Sequence, residues 1–148
     1  MNFNNYKDFP RVGRIIGLDW GLRRCGVAVS DETREFVFVR PQIDVKSQSE
    51  LVGAVLDLIQ EEGAVGVVIG LPVYSDGSDS DTTKMVRDFT ESLAAQINLP
   101  ILFVEENLTS LAAQQDMGKT NVTKIKAELD SLAARIILEN AIGLLRRN

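Results

Sequence analysis

The segment Val65-Gly66-Val67-Val68-Ile69-Gly70-Leu71 constrains the fold more than any other part of the chain. It is a near-continuous apolar run with no polar alternation. A strand with one wet face alternates, whereas a run like this belongs to a strand buried on both faces, in a sheet covered by helices on either side. The flanking segments supply such helices. From Ser47 to Glu62, Leu51, Val55, Leu58 and Ile59 recur at helical spacing, and Gly63 fits a C-terminal cap. From about Asp81, Met85, Phe89, Leu93 and Ile97 form an i, i+4 stripe, and Asn98-Leu99-Pro100 stops that helix. Ile101 to Glu105 reads as another short buried strand. Upstream, Arg14 to Trp20 and Cys25 to Ser30 read as two strands joined by the turn Gly21-Leu22-Arg23-Arg24. Phe36 to Val45 reads as a third, with Pro41 marking a bulge or an edge. Downstream, Leu108 to Met117 reads as a short helix, Gly118 to Val122 as a link, and Thr123 to Leu145 as a long final helix.

The opening hairpin must be antiparallel, and the later strand-helix-strand units favour parallel pairing. The expected architecture is α/β: a mixed five-stranded sheet, its first three strands antiparallel and the rest parallel, with helices on both faces. The 148 residues fit one domain, 1–148. Residues 1–12 form a polar lead whose disorder is left open. No apolar run reaches the roughly 18 residues of a membrane span. The first ten residues lack an apolar signal segment, so a cytoplasmic protein with no membrane partner is expected. The single cysteine, Cys25, excludes an intrachain disulfide and reads as a small buried hydrophobe. Histidine is absent, which removes the usual general base, the commonest zinc ligand and any Ser-His or Cys-His nucleophile.

Three acids stand at the margins of apolar elements: Asp19 after Ile15-Ile16-Gly17-Leu18, Glu106 after Ile101-Leu102-Phe103-Val104-Glu105, and Asp130 on the apolar side of the final helix. Ionised carboxylates are rarely buried without a partner, and a divalent cation is a partner all three can share. Ligands in such sheets collect at the carboxyl ends of parallel strands, where Asp19, Gly70-Leu71-Pro72 and Glu106 fall. Oxygen ligands suit Mg²⁺ or Mn²⁺, and two such ions about 3.5–4 Å apart support phosphodiester hydrolysis without histidine. Asp19 is the expected bridging ligand, with Glu106 and Asp130 completing the shell. Glu105 is an alternative to Glu106, and each acid alone also reads as a cap, a surface residue or a paired core charge. Ala127, Ala134, Ile137 and Ala141 share the helical stripe of Asp130: small alanines there would let that helix approach the sheet closely, and the same stripe also reads as core with Asp130 near its exposed margin.

The net charge of −5 argues against a protein that coats nucleic acid broadly. A local basic rim from Arg11, Arg14, Arg23, Arg24, Lys119, Lys124 and Lys126 stays open beside scattered solvated charges. Arg24 is a candidate phosphate contact or a surface ion pair. Thr109 is a candidate substrate contact or a helix cap, and Trp20 a base-stacking or core aromatic.

Gly17-Leu18-Asp19-Trp20-Gly21, Arg24 and Gly26-Val27-Ala28-Val29-Ser30 resemble the opening motif of the YqgF/RuvX family. Gly70-Leu71-Pro72 with Asp76-Gly77, Val86-Arg87-Asp88-Phe89, Glu105 to Ser110, and Asp130-Ser131-Leu132-Ala133-Ala134 with Ile137-Leu138 resemble its later motifs, in order and spacing. The resemblance covers about 14–145. It implies a ribonuclease H-like fold, a metal-dependent endonuclease, and Asp19, Glu106 and Asp130 as the catalytic acids. It also implies nucleic acid as partner, either the precursor of 16S ribosomal RNA in ribosomal precursor particles or branched DNA. The chain would act as a monomer or as a homodimer with two sites for a two-fold junction. The chain departs from the family where Glu105-Glu106-Asn107 replaces Asp-Glu-Arg, and where Ser80-Asp81 replaces a Gly-Pro step. These departures motivate a second class of function, a non-catalytic ribosome-assembly factor. A third, nucleotide binding, follows from likeness of the opening hairpin to actin-like ATPases, which need two such domains.

Overall fold

A computed structural model describes residues 3, 6–107 and 122–147, with the side chains of 122–131 outside the description. A 3-10 turn at Tyr6–Asp8 leads into β1 (Ile15–Asp19), β2 (Arg24–Ser30) and β3 (Val37–Asp44). Then follow α1 (Gln48–Glu62), β4 (Gly66–Val73), α2 (Asp81–Ala94), β5 (Ile101–Asn107) and α3 (Val122–Arg147). The strands form one five-stranded sheet in the order β3-β2-β1-β4-β5. β1–β2 and β2–β3 are antiparallel, and β1–β4 and β4–β5 are parallel, as the spacing of the elements predicts. The β2–β3 register shifts between Cys25 and Val27, opposite the Pro41 region of an edge strand.

α1 and α2 cover one face. Leu51, Val52 and Val55 of α1 and Val86, Phe89 and Leu93 of α2 pack on Ile16, Leu18, Val67 and Ile69. The other face carries α3, whose Ala134, Ile137, Leu138 and Ala141 meet Ile15, Ala28, Val68 and Leu102. β4 is buried from Gly66 to Leu71, as its uninterrupted apolar run requires.

Caps fix the helix starts. The Ser47 hydroxyl accepts from the Glu50 N–H at 3.1 Å, and Gly63 ends α1 in the left-handed region at φ 63°. Ser80 and Thr83 form a reciprocal capping box at the start of α2. The Thr83 hydroxyl also donates to the Pro72 carbonyl. This last contact corrects the expected stripe of α2. Pinning Thr83 against the end of β4 turns Thr83, Val86, Phe89, Thr90 and Leu93 inward, and leaves Met85 40% exposed. Ile97 lies past the end of the helix. Sequence hydrophobicity favours Met over Thr, yet Thr90 is buried because its hydroxyl is satisfied by the Val86 carbonyl at 2.7 Å.

The lead contributes to packing. Phe9 is buried and its ring lies over Gly66, where a Cβ would meet it at 2.3 Å. Phe3 sets its ring edge-on to Phe103 at a centroid distance of 5.1 Å. The short helix expected at 108–117 and most of the link after it lie outside the described residues, and the final helix already begins at Val122.

Candidate active site

Strand alternation decides which acids share a face. On β1, Ile15 contacts the α3 side and Ile16 the α1–α2 side, so Gly17 and Asp19 face α3. On β5, Phe103 faces α1–α2 and Val104 faces α3. Glu106 therefore shares its face with Asp19, while Glu105 points to the opposite side and is exposed. Of the two neighbouring glutamates, the geometry favours Glu106.

Register sets their spacing. Leu18 pairs with Ile69 and Gly70 with Val104, which brings Asp19 level with Gly70 and two residues short of Glu106. One strand, β4, separates the two acids, a lateral gap of roughly 10 Å between backbones. Gly70 keeps that gap clear, since its ideal Cβ would lie 3.7 Å from Glu106 Cγ and 2.5 Å from Ile137 Cδ1. Asp130 lies on α3 one turn before Ala134, on the stripe that carries Ala134, Ile137 and Ala141 into the sheet. The Asp130 side chain lies outside the described residues, as do Thr109 and the side chains of Lys124 and Lys126. Among the described residues alone, no group of three metal-capable side chains assembles.

Glu106 carries the electrostatic signature. Its Oε1 is buried without a hydrogen-bond partner among the described residues. Burial pushes its carboxyl above the usual glutamate range, partly opposed by a hydrogen bond from the Asn140 side chain. Asn140 was not legible in the sequence, because an asparagine on a long polar-faced helix has no pattern that marks it. The orphaned oxygen fits a hard cation, which would supply the missing partner.

The raised Glu106 value has a direct consequence for the metal-free protein. The folded state holds this proton more tightly than the unfolded chain, so the stabilisation is complete below the unfolded glutamate pKa and is lost as pH rises through the folded one. Glu106→Gln is therefore expected to match the wild type near pH 4 and to exceed its melting temperature by about 1–3 °C at pH 7, a modest figure because the group is half-exposed. Thermal melts in chelator at the two pH values measure this; equal melting temperatures at pH 7 would contradict it.

Other side chains sort by position. Cys25 is fully buried, and its burial, then the charge of Asp19, push its thiol up to about 12. It stays a neutral packing group, as expected. Trp20 is buried, its Nε1 donating to Gln48 Oε1 at 3.1 Å, so it is a core aromatic rather than a stacking platform. Arg24 begins β2 at the Asp19 end of the sheet, exposed and with no ion pair among the described residues. Arg23 sits beside it in the turn. The expected rim fails at Arg11 and Arg14, which precede β1 at the far end of the sheet. Arg14 is also tied to Glu62 at 3.3 Å. At the site's margin, Asp76 accepts from the Ser78 N–H at 2.9 Å and hydroxyl at 2.6 Å, which holds its carboxyl below the usual range. Gly77 follows at φ 84°. The Ser80-Asp81 step thus serves a tight acidic turn and a helix cap.

Residues 13–143 match the family model described as "RuvX: Holliday junction resolvase". A protein of Maridesulfovibrio salexigens described as "Putative pre-16S rRNA nuclease" is 37% identical over 128 residues, covering 85% of this chain and 95% of that protein. One of Acidiphilium cryptum with the same description is 33% identical over 138 residues, covering 92% of this chain and 87% of that one. Among solved structures, T. thermophilus RuvC in complex with Holliday junction substrate superposes with a TM-score of 0.55 at 12% identity, over 90% of this chain and 95% of that one. The yeast mitochondrial Holliday junction resolvase gives 0.50 at 12% identity, over 95% and 83%. At such identities the structural likeness establishes the fold alone, a ribonuclease H-like mixed sheet.

Proposed function

This chain belongs to the RuvX family of nucleases, and from that premise we propose that it is a divalent-metal-dependent endonuclease acting on structured nucleic acid, with the precursor of 16S ribosomal RNA as substrate. The observation that carries the reading is the pair Asp19 and Glu106 on one face at the carboxyl edge of the sheet, with a buried Glu106 oxygen that has no partner among the described residues and Asp130 on the adjoining helical stripe. The relatives described as "Putative pre-16S rRNA nuclease" favour RNA over a DNA junction as substrate. Action in the cytoplasm, on ribosomal precursor particles, follows from that substrate; among the described residues no helix is long and apolar enough to cross a membrane.

Asp19, Glu106 and Asp130 would hold Mg²⁺ or Mn²⁺. When bound, such ions activate a water and stabilise the departing oxygen. The protein's own part is positional. Parallel register holds Asp19 and Glu106 on one face, and the close approach of α3 at Gly17 and Gly70 supports a place for Asp130 beside them. Glu106 must release its proton to serve as a ligand, so metal affinity falls as pH falls. Arg24, exposed at the same edge, meets a phosphate of the substrate, and its fork fits two phosphate oxygens. Thr109 contacts the substrate from the segment after β5.

The test is cleavage of a labelled pre-16S RNA fragment and of a four-way DNA junction, each with Mn²⁺, Mg²⁺ and chelator. RNA cleavage that needs metal supports the reading. Cleavage of the junction alone moves the substrate to branched DNA. Folded, metal-loaded protein that cuts neither contradicts an enzymatic role and leaves a binding factor.

A further inference from the structure

At the end of the sheet opposite Asp19 lies a cavity of about 620 Å³, bounded by the Tyr6–Asp8 turn, the β2–β3 connection and the last turns of α3. Small-molecule sites span roughly 300–1,000 Å³. Lys7, Arg11, Arg34 and Arg146 line it, and among the described residues no carboxylate does. That concentration of cations stands out on a chain of net charge −5.

Arg34 is the decisive residue. Elsewhere the chain matches half-buried arginines with acid: Arg14 and Arg40 share Glu62 at 3.3 and 2.8 Å. Arg34 is only 7% exposed, yet it has no ion pair among the described residues. Its Nε donates to the Gly13 carbonyl at 3.0 Å, its Cζ stands 5.8 Å from the Phe9 ring centroid, and its Nη2 has no partner among the described residues. Its backbone is held at φ 63°, a conformation that arginine rarely adopts. Arg146 Nη2 donates to the Arg34 carbonyl at 2.8 Å, which ties a second cation to the same wall. A buried guanidinium without a counter-ion is costly, and burial here works against its charge. An anion in the cavity would offset that cost, and phosphoryl oxygens suit the guanidinium fork. Tyr6 adds a ring on which a base can rest.

We propose that this cavity binds the phosphoryl group of a nucleotide-sized ligand, carried by a free mononucleotide or by the terminal nucleotide of an RNA strand. It is distinct from the candidate active site: β1 alone, running from this end to Asp19, spans about 15 Å.

Calorimetric titration tests it in chelator, which removes any contribution of metal at the catalytic edge. The probes are inorganic phosphate, adenosine monophosphate, and a short oligoribonucleotide with and without a 5′ phosphate. The wild type is compared with Arg11→Glu/Arg146→Glu, two surface changes whose folding is checked by melting, and with Arg34→Lys, which keeps the charge and loses the fork. Binding at least tenfold weaker in the double variant, with an intact melt, is the expected result. Affinity for the mononucleotide identifies a free ligand as the source, and affinity only for the phosphorylated oligonucleotide identifies the RNA end. No binding of any probe by the wild type at millimolar concentration overturns the proposal, as does equal binding by the folded double variant. Because no metal or cleavage enters the readout, failure here is separate from failure of the nuclease reading.

Discussion

Asparagine in place of Asp19 is expected to slow metal-dependent cleavage about a thousandfold while leaving the fold intact. As a proposed ligand, Asp19 would help hold a metal that supplies several kcal/mol of charge stabilisation where the reaction occurs, and each 1.36 kcal/mol is about a factor of ten in rate. The fold should tolerate the change, because Asp19 is the last residue of β1, only part-buried, and asparagine has the same shape. Single-turnover cleavage rates at saturating Mn²⁺, read beside circular-dichroism melts, measure both halves of this expectation. A folded variant that cuts within tenfold of the wild type would place the chemistry elsewhere.

Gly17→Ala is expected to damage the fold and the site together. The added Cβ would lie 2.8 Å from Leu138 Cβ and 3.2 Å from the Ala134 carbonyl oxygen. Neither atom is the loose end of a flexible side chain, so α3 itself must lift off the sheet. Overpacking of this kind costs about 1–3 kcal/mol, or a melting temperature lower by roughly 2–10 °C for a domain of this size. The activity loss should exceed the stability loss, because the helix that lifts also carries Asp130, one turn from Ala134. Thermal melts and cleavage rates on the same preparation separate the two effects. Gly53→Ala is the control, since nothing lies within 4 Å of a Cβ there. A Gly17→Ala protein that melts and cuts like the wild type would show that the close approach is dispensable.

Much of this architecture can be read from the chain because the signals are local and redundant. The unbroken apolar run of β4 demands two covered faces, and the Gly21–Arg24 turn can only close an antiparallel pair. Glycine and serine caps mark α1 at both ends. Asp19 and Glu106 were legible as acids closing apolar strands, and alternation on β5 separates Glu106 from Glu105. What escaped depends on contacts distant in sequence. The inward face of α2 is set by the Thr83 hydroxyl reaching the Pro72 carbonyl, and hydropathy alone selects Met85 instead. Asn140 gains its role only because α3 crosses near Glu106, and Arg11 and Arg14 leave the expected rim because strand direction carries them to the far end. The cation-lined cavity joins residues from the two ends of the chain, and Arg34 meets Arg146 across 112 positions of sequence.

The most direct test of the central claim is the position of manganese in crystals soaked with Mn²⁺, located by its anomalous scattering. The expected result is manganese at the carboxyl edge of the sheet, bound by oxygens of Asp19, Glu106 and Asp130. Manganese bound elsewhere, or an occupied edge from which Asp130 points away, would contradict it.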